Sequence, residues 1–185
     1  MSSYPVYTIE TAPAQSRPVL RQLQQAFGQI PNIAGTMAGS PVLINAFIGV
    51  FERVHASSLT EPQIQTLLLT NAVANASDWP VAFHTALALK EGVTPADVDA
   101  IRHGGLPADP GLAALSALAR ALIGKRGRLA ESDKSHFLEA GFDAGQILEV
   151  IAVVAASTIT NYTSSVTRPP LETQFEAFAW HAPAA

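Results

Sequence analysis

The 185-residue sequence contains no cysteine. Disulfide bonds, thiolate metal ligands, iron–sulfur clusters and cysteine nucleophiles are therefore excluded for this chain. Charged residues are also scarce: they form 14% of the sequence, against about 25% in an average globular protein. Apolar residues, by contrast, form 48%. Disordered chains combine low hydrophobicity with high charge, so this composition predicts a folded domain.

The scarcity of charge also bears on partners. The net charge is −4, from 11 basic and 15 acidic residues, and the basic residues form no cluster. Because nucleic-acid binding needs such a cluster, we expect no nucleic-acid partner. Residues 1–11 lack the pattern of a signal peptide, and the most apolar stretch, 147–160, is too short to cross a bilayer. We expect a cytoplasmic protein with no membrane partner, and a homo-oligomer that covers its apolar surface.

The spacing of apolar residues is helical throughout. Cap residues precede prolines at Ser40-Pro41, Thr94-Pro95 and Asp109-Pro110, as at many helix starts. No alternating apolar runs flank a tight-turn dipeptide, so no β-hairpin is expected. The pattern predicts an all-α fold, a single-domain helical bundle over residues 1–185, with arms at 1–15 and 182–185 where periodicity is absent. The predicted helices are 16–28, 41–57, 61–75, 78–91, 95–103, 110–126, 132–140, 144–165 and 171–180.

Residues 147–159 are rich in β-branched side chains, which are typical of strands. However, the run from Gln146 to Arg168 contains neither glycine nor internal proline and is too long for a strand. We therefore predict a helix, and its apolar composition places it centrally in the bundle.

One stretch carries a family resemblance. Leu59-Thr60-Glu61 begins one helix, and 75–88 reads Asn-Ala-Ser-Asp-Trp-Pro-Val-Ala-Phe-His-Thr-Ala-Leu-Ala, followed by Gly92-Val93-Thr94. This arrangement resembles the alkylhydroperoxidase D and carboxymuconolactone decarboxylase superfamily, whose core reads C-x-x-C-x-x-x-H-T-x-x-A before a Gly-Val/Leu-Thr/Ser turn. The flanks extend the similarity over about 27–180. The resemblance implies an all-α fold and assembly into dimers, trimers or hexamers.

The residues that differ from the family pattern carry its chemistry. The family cysteines would stand four and seven residues before His84, where this sequence has Pro80 and Ser77. The family glutamate would stand at Gln65, so only His84 remains of the four residues of the redox relay. A serine hydroxyl is not oxidised by peroxide as a thiolate is. A glutamine amide does not accept and release a proton as a glutamate carboxylate does. Cysteine-based peroxidase activity is therefore excluded for this sequence.

The replacements suit a helix start. Serine is a favoured N-cap residue, and Asp78 and Pro80 suit the first turn, so Ser77 is predicted to cap the helix that carries His84. The simplest interpretation is then a well-capped helix without chemistry. The alternative is a retained pocket, in which His84 is the catalytic candidate and the substrate-binding candidates are Gln65, Ser77, Asp78, Trp79 and Asn161. His84 is equally compatible with a buried core histidine. For Asn161 and Tyr162 the favoured interpretation is a buried amide and phenol that are paired to each other or to the backbone.

Two functions remain open from the sequence. One is a redox-inactive family member with a small apolar ligand. The other is a non-redox enzyme similar to the decarboxylase branch, which acts on a small lactone acid with His84 as acid or base. Against the second, no Arg or Lys lies between Arg53 and Lys90 to bind a carboxylate. The other four histidines lack metal-ligand spacing, so we expect no metal site and no cofactor.

Overall fold

A computed structural model of the chain describes residues 4–182. This range contains nine α-helices and no β-strand, which confirms the predicted all-α fold. The parts of the two predicted arms at 1–3 and 183–185 lie outside the described residues. The helices are α1 (Arg17–Phe27), α2 (Asn32–Met37), α3 (Pro41–Val54), α4 (Glu61–Ala74), α5 (Asp78–Lys90), α6 (Pro95–Arg102), α7 (Pro110–Gly124), α8 (Glu131–Glu139) and α9 (Ala144–Thr167).

Helix α4 is the centre of the bundle. Its start is fixed by a capping box in which the Gln63 side chain accepts a hydrogen bond from the Thr60 backbone N–H at 2.9 Å. Every residue from Ile64 to Ala72 is buried, because α5, α6, α7 and α9 all pack around this helix. A helix enclosed on all sides does not show a single apolar stripe. Its polar residues must therefore find partners on the surrounding helices.

Two short elements differ from the sequence prediction. Helix α2 was not predicted, because six residues that include Gly35 and Thr36 are too few to show a helical period. The segment 171–180, predicted to be helical, forms a 3₁₀ turn at Thr173–Phe178 instead. Short 3₁₀ turns are held by packing rather than by propensity, and here Phe175 is buried against the rest of the protein. The other predicted helices agree with the structure to within about three residues at each end.

The N-terminal segment 4–13 is not a detached arm, as its composition had suggested. The backbone N–H of Tyr7 donates to the carbonyl of Gly35 at 3.1 Å, and Ala12 is fully buried. The hydroxyl of the buried Ser16 donates to the carbonyl of Ala38 at 2.8 Å. The segment therefore covers α2 and is part of the domain.

Helix α9 is longer than the apolar stretch from which it was predicted. It has 24 residues with a mean hydropathy of 1.3 over its most apolar window, so by length and composition alone it is able to cross a membrane. The core helix of a bundle has the same properties, and α9 packs against α2, α3, α4, α5 and α7. Only 33% of that window is buried, so a large part of the helix faces outward.

Gly35 tests the contact between segment 4–13 and α2. A Cβ atom at this position would lie 2.6 Å from Val6 Cγ1 and 2.9 Å from the carbonyl oxygen of Tyr7. We expect Gly35→Ala to lower the free energy of unfolding by about 1–3 kcal/mol, because the backbone of the segment must move away. Urea denaturation measures the change.

Gly49→Ala is the matched control, since Gly49 lies in α3 and an added Cβ has no neighbour within 4 Å. This change should raise stability by about 0.5–1 kcal/mol through helix propensity alone. Equal stability of Gly35→Ala and the unchanged protein would show that segment 4–13 does not depend on close approach to α2.

Candidate functional site

The centre of the candidate site is a contact between α4 and α5. Nδ1 of His84 lies 3.0 Å from Oε1 of Gln65, and the two side chains are only 4% and 3% exposed. A carbonyl oxygen only accepts hydrogen bonds, so Nδ1 carries the proton and Nε2 is an acceptor. The structure thus brings together the histidine and the glutamine that the sequence comparison singled out.

The surroundings of His84 favour its neutral form. Burial lowers the pKa of the imidazole from 6.5 to about 3, and the nearby His55 adds to this shift. At neutral pH His84 therefore holds one proton, on Nδ1. It offers a hydrogen-bond acceptor, but it has no dissociable proton for general acid catalysis. The acid–base role expected for His84 from the sequence assumed the ordinary histidine pKa, and the burial of the side chain removes that basis.

A small inner cavity lies beside His84. Its volume is about 40 Å³, enough for about two or three water molecules. The Trp79 ring stacks on Phe83 with centroids 4.9 Å apart, and Phe83 contacts His84 edge-on at 5.3 Å. The cavity is too small for a ring compound. Its lining residues are Leu23, Phe27, Pro31, Ile33, Ala34, Phe47, Phe51, Trp79, Phe83, His84 and Thr160.

An outer groove of about 340 Å³ lies on the other side of the same wall. Leu23, Phe27 and Phe51 line both the groove and the inner cavity, and Gln65 lines the groove. Small-molecule sites in proteins measure about 300–1,000 Å³, so the groove has the volume of a site for a small ligand. Its remaining lining residues are Gln22, Ala26, Ile48, Glu52, His55, Glu61, Leu87, Lys90 and Glu91.

His55 and Glu61 form a second polar pair in this groove, and the sequence analysis did not identify it. Nδ1 of His55 lies 2.8 Å from Oε1 of Glu61. The Glu61 carboxylate accepts a hydrogen bond from the N–H at Nδ1 of His55. Nε2 is buried and has no hydrogen-bond partner among the described residues. The sequence feature that could have indicated this pair is the short connection 55–60, because it holds the end of α3 close to the start of α4.

Ser77 and Asn161 lie together, but away from the groove and the inner cavity. Ser77 is the N-cap residue of α5 as predicted, but its hydroxyl donates to the carbonyl of Asn161 at 3.2 Å and makes no cap hydrogen bond. The Asn161 side chain donates to Ser157 Oγ at 3.1 Å and to the Asn71 carbonyl at 3.3 Å. Asn161 is buried and bonded to a backbone carbonyl as expected, but Tyr162 is 62% exposed, so the interpretation of Tyr162 as a buried phenol is wrong.

Asp78 and Trp79 are held by the C-terminal segment. Nε1 of Trp79 donates to Glu172 at 3.0 Å, and the other oxygen of Glu172 accepts from the backbone N–H of Asn32 at 2.7 Å. Asp78 is exposed, pairs with His181 at 3.1 Å and borders a separate cavity of about 370 Å³. Of these two residues, only Trp79 therefore contributes a side chain to the surroundings of His84.

Two further features bear on the choice of site. A cavity of about 490 Å³ lies between α7 and α8, and none of the candidate residues lines it. Within residues 4–182, no group of three or more histidine, aspartate or glutamate side chains lies close enough together to hold a metal ion. The groove beside Gln65 and His84 is therefore the cavity that agrees with the residue pattern.

One family model matches part of the chain. Residues 41–123, which contain α3 to α7 and both polar pairs, match the model of the Carboxymuconolactone decarboxylase family. The match covers less than half of the chain and shows a similarity of this segment to that family. No curated protein matches the chain.

Solved structures extend the similarity of fold over the whole chain. An alkylhydroperoxidase AhpD core protein from Ralstonia eutropha JMP134, described as an uncharacterized peroxidase-related protein, has a TM-score of 0.83 at 20% identity over 94% of each chain. A debrominase, Bmp8, in complex with 2,3,4-tribromopyrrole has a TM-score of 0.78 at 19% identity over 96% of each chain. A peroxidase-related protein from Silicibacter sp. TM1040 has a TM-score of 0.76 at 16% identity, covering 94% of this chain and 92% of that one.

The lowered pKa of His84 makes a prediction about acid stability. Below pH 6.5 the unfolded chain binds a proton at this residue, whereas the folded protein does so only near pH 3. The stability that the neutral, buried His84 contributes to the folded protein is therefore complete above pH 6.5 and is lost as the pH falls toward 3. Between pH 7 and pH 4 we expect the unchanged protein to lose about 3 kcal/mol more stability than His84→Gln does.

Urea denaturation at a series of pH values measures this difference. The control is His103→Gln, because the His103 side chain is 76% exposed and should leave the pH profile unchanged. If the unchanged protein and His84→Gln lost stability in parallel, His84 would not be a neutral buried histidine.

Proposed function

We propose that the chain is a carboxymuconolactone decarboxylase/alkylhydroperoxidase-like protein that has lost thiol peroxidase chemistry and binds a small molecule at the Gln65–His84 pair. The observation that carries the proposal is the 3.0 Å contact of this buried pair, next to a groove of about 340 Å³. Ser77 and Pro80, at the positions of the family cysteines, lie at the buried start of α5. They retain the helix but provide no thiol.

The charges of the groove indicate what it accepts. Its walls are apolar, and its charged side chains are those of Glu52, Glu61 and Glu91 against Lys90. Three carboxylates and one ammonium group disfavour an anionic ligand. Carboxylate oxygens and imidazole nitrogens accept hydrogen bonds. The ligand class is therefore a neutral ring compound with one O–H or N–H donor.

The debrominase complex is consistent with this class of ligand. The ligand of that complex, 2,3,4-tribromopyrrole, is a small flat ring with an N–H group. At 19% identity the similarity concerns the fold. It supports the proposal only in that a bundle of this architecture is able to hold such a molecule.

A second candidate is a non-redox enzyme of the decarboxylase branch that acts on a small lactone acid. Lys90 favours it, because its ammonium group lines the groove and offers a partner for a carboxylate. The pKa of His84, lowered to about 3, limits that residue to the role of a weak base or acceptor. This candidate predicts that a carboxylate ligand binds better than a neutral one and that Lys90→Ala weakens it.

Ligand binding in the groove is testable with three probes of similar size. Phenol has a ring and a donor, toluene lacks the donor, and benzoate adds a negative charge. We expect phenol to bind most tightly in NMR titrations, because only phenol combines the apolar ring with a donor and no negative charge. Tighter binding of benzoate would support the lactone-acid candidate instead.

The location of the probe site requires a blocking variant. Ala26 is exposed on α1 and lines the groove, so Ala26→Trp should fill it and weaken phenol binding by about tenfold or more, equal to about 1.4 kcal/mol. Gln25→Trp is the matched control, because Gln25 is exposed on the same helix but does not line the groove. Unchanged phenol binding by Ala26→Trp would rule out the groove.

Loss of peroxidase chemistry has its own test. The unchanged protein, freed of metal, should consume hydrogen peroxide in the presence of dithiothreitol no faster than a heat-inactivated sample, because it has no thiol. The triple variant Gln65→Glu, Ser77→Cys, Pro80→Cys should gain peroxide consumption, since it restores the family pattern. Turnover by the unchanged protein would contradict the proposal.

A further inference from the structure

A cavity of about 370 Å³ lies where the start of α5 meets the end of α9, and we call it the α5–α9 cavity. Helix α5 lines it with Asp78 and Trp79, and the end of α9 lines it with Ser164 and Arg168. Its volume lies in the range of small-molecule sites. It shares no lining residue with the groove beside Gln65, so binding in the cavity is independent of the ligand proposed for the groove.

The start of α5 supplies two free hydrogen-bond donors at this cavity. The first backbone N–H groups of a helix have no carbonyl partner within the helix. An N-cap serine usually accepts from one of them, but the Ser77 hydroxyl donates to the Asn161 carbonyl instead. Within residues 4–182, the N–H groups of Asp78 and Trp79 bond neither to a backbone carbonyl nor to the N-cap side chain. Both are therefore available to an acceptor in the cavity.

Ser164 is an independent indication of a ligand. It lies in the last turn of α9, lines the cavity and is only 6% exposed. The hydroxyl of the adjacent Ser165 donates to the Asn161 carbonyl at 2.9 Å, whereas the Ser164 hydroxyl makes no hydrogen bond among the described residues. Because the rest of the residue is enclosed by protein, a partner for this hydroxyl has to come from the cavity.

Arg168 adds a positive charge at the same cavity. It follows Ser164 by four residues, and residues at this spacing are neighbours on one side of a helix. The ion pairs formed within residues 4–182 do not include its guanidinium group. Arg168 ends α9 in the left-handed conformation, with φ of 48°. Glycine adopts this conformation at lower cost, so the helix end alone does not explain an arginine at this position.

The negative charges near the cavity limit the charge of the ligand. The carboxylate of Asp78 also lines the cavity and pairs with the exposed His181 at 3.1 Å. The C-terminal end of α9 adds a partial negative charge. Both oppose a dianion, such as phosphate, more strongly than a monoanion. A carboxylate group carries a single charge, and its two coplanar oxygens match the paired N–H groups of a guanidinium.

We propose that the α5–α9 cavity binds a small molecule through a single carboxylate group. The N–H groups of Asp78 and Trp79, the Ser164 hydroxyl and the Arg168 guanidinium are its donors. A helix start favours such a group, because the free N–H groups and the positive end of the helix dipole act together on a negative charge. The polar donors come from two helices that are distant in sequence, which is typical of a binding site rather than of a helix cap.

Acetate is the first probe, because it consists of little more than the carboxylate group. In NMR titrations at low ionic strength, sodium acetate should shift the backbone amide signals of Asp78 and Trp79, with a dissociation constant on the order of millimolar. Sodium phosphate and methylammonium chloride should bind at least about tenfold more weakly at the same signals. Sodium chloride at equal ionic strength provides the reference.

Three variants test the individual groups. Arg168→Gln should weaken acetate binding by about tenfold or more, and Ser164→Ala by about fivefold, because each removes a donor. Asp78→Asn should strengthen binding by about threefold, because it removes a repelling charge. Arg126→Gln is the matched control, since Arg126 is also an exposed arginine in the left-handed conformation, with φ of 52°, but does not line the cavity. Circular dichroism should show that all four variants remain folded.

Three results would overturn the proposal. The first is a titration in which acetate leaves the amide signals of Asp78 and Trp79 unchanged. The second is equal weakening by Arg126→Gln and Arg168→Gln, which would show a general attraction to positive charge instead of a site. The third is tighter binding of phosphate than of acetate, which would assign the cavity to a dianion.

Discussion

The enclosure of α4 is the constraint on which the rest of the structure depends. Because neighbouring helices cover it on every side, the hydrogen bonds of its buried side chains come from helix–helix contacts, whereas the Thr66 hydroxyl and the Asn71 side-chain amide have no partner among the described residues. Gln65 pairs with His84 on α5, and Thr70 with Ser116 on α7 at 2.8 Å. The backbone carbonyl of Asn71 accepts from Asn161 on α9 at 3.3 Å. Each pair joins α4 to a different neighbour and so fixes the arrangement of the bundle beyond what apolar packing specifies.

The same enclosure explains why glutamine suits position 65. A carboxylate there would place a charge in the buried contact with His84, and burying either a lone carboxylate or an ion pair costs free energy of desolvation. The glutamine amide has nearly the same shape and is uncharged, so the pair satisfies its hydrogen bond without a buried charge. The changes at Gln65 and Ser77 are therefore consistent with each other: both replace an ionisable group by a neutral polar one at a buried position.

The sequence predicted the helices and their order well, because caps, prolines and apolar spacing act locally. It also identified Gln65 and His84 as neighbours, through the family pattern. It did not predict where side chains point at the start of α5, where Ser77 bonds to the Asn161 carbonyl and Asp78 faces the C-terminal segment. Those directions depend on helices distant in sequence. The His55–Glu61 pair was missed for a related reason, because it joins the end of one helix to the start of the next.

The few charged residues are unevenly distributed over the structure. Helix α9 has one charged residue in 24 and presents apolar side chains on its outer face. The groove beside Gln65, by contrast, gathers Glu52, Glu61, Lys90 and Glu91 within a short distance of one another. An exposed apolar surface of this kind is typical of an interaction surface. The groove and the outer face of α9 therefore differ in charge and suit different kinds of contact.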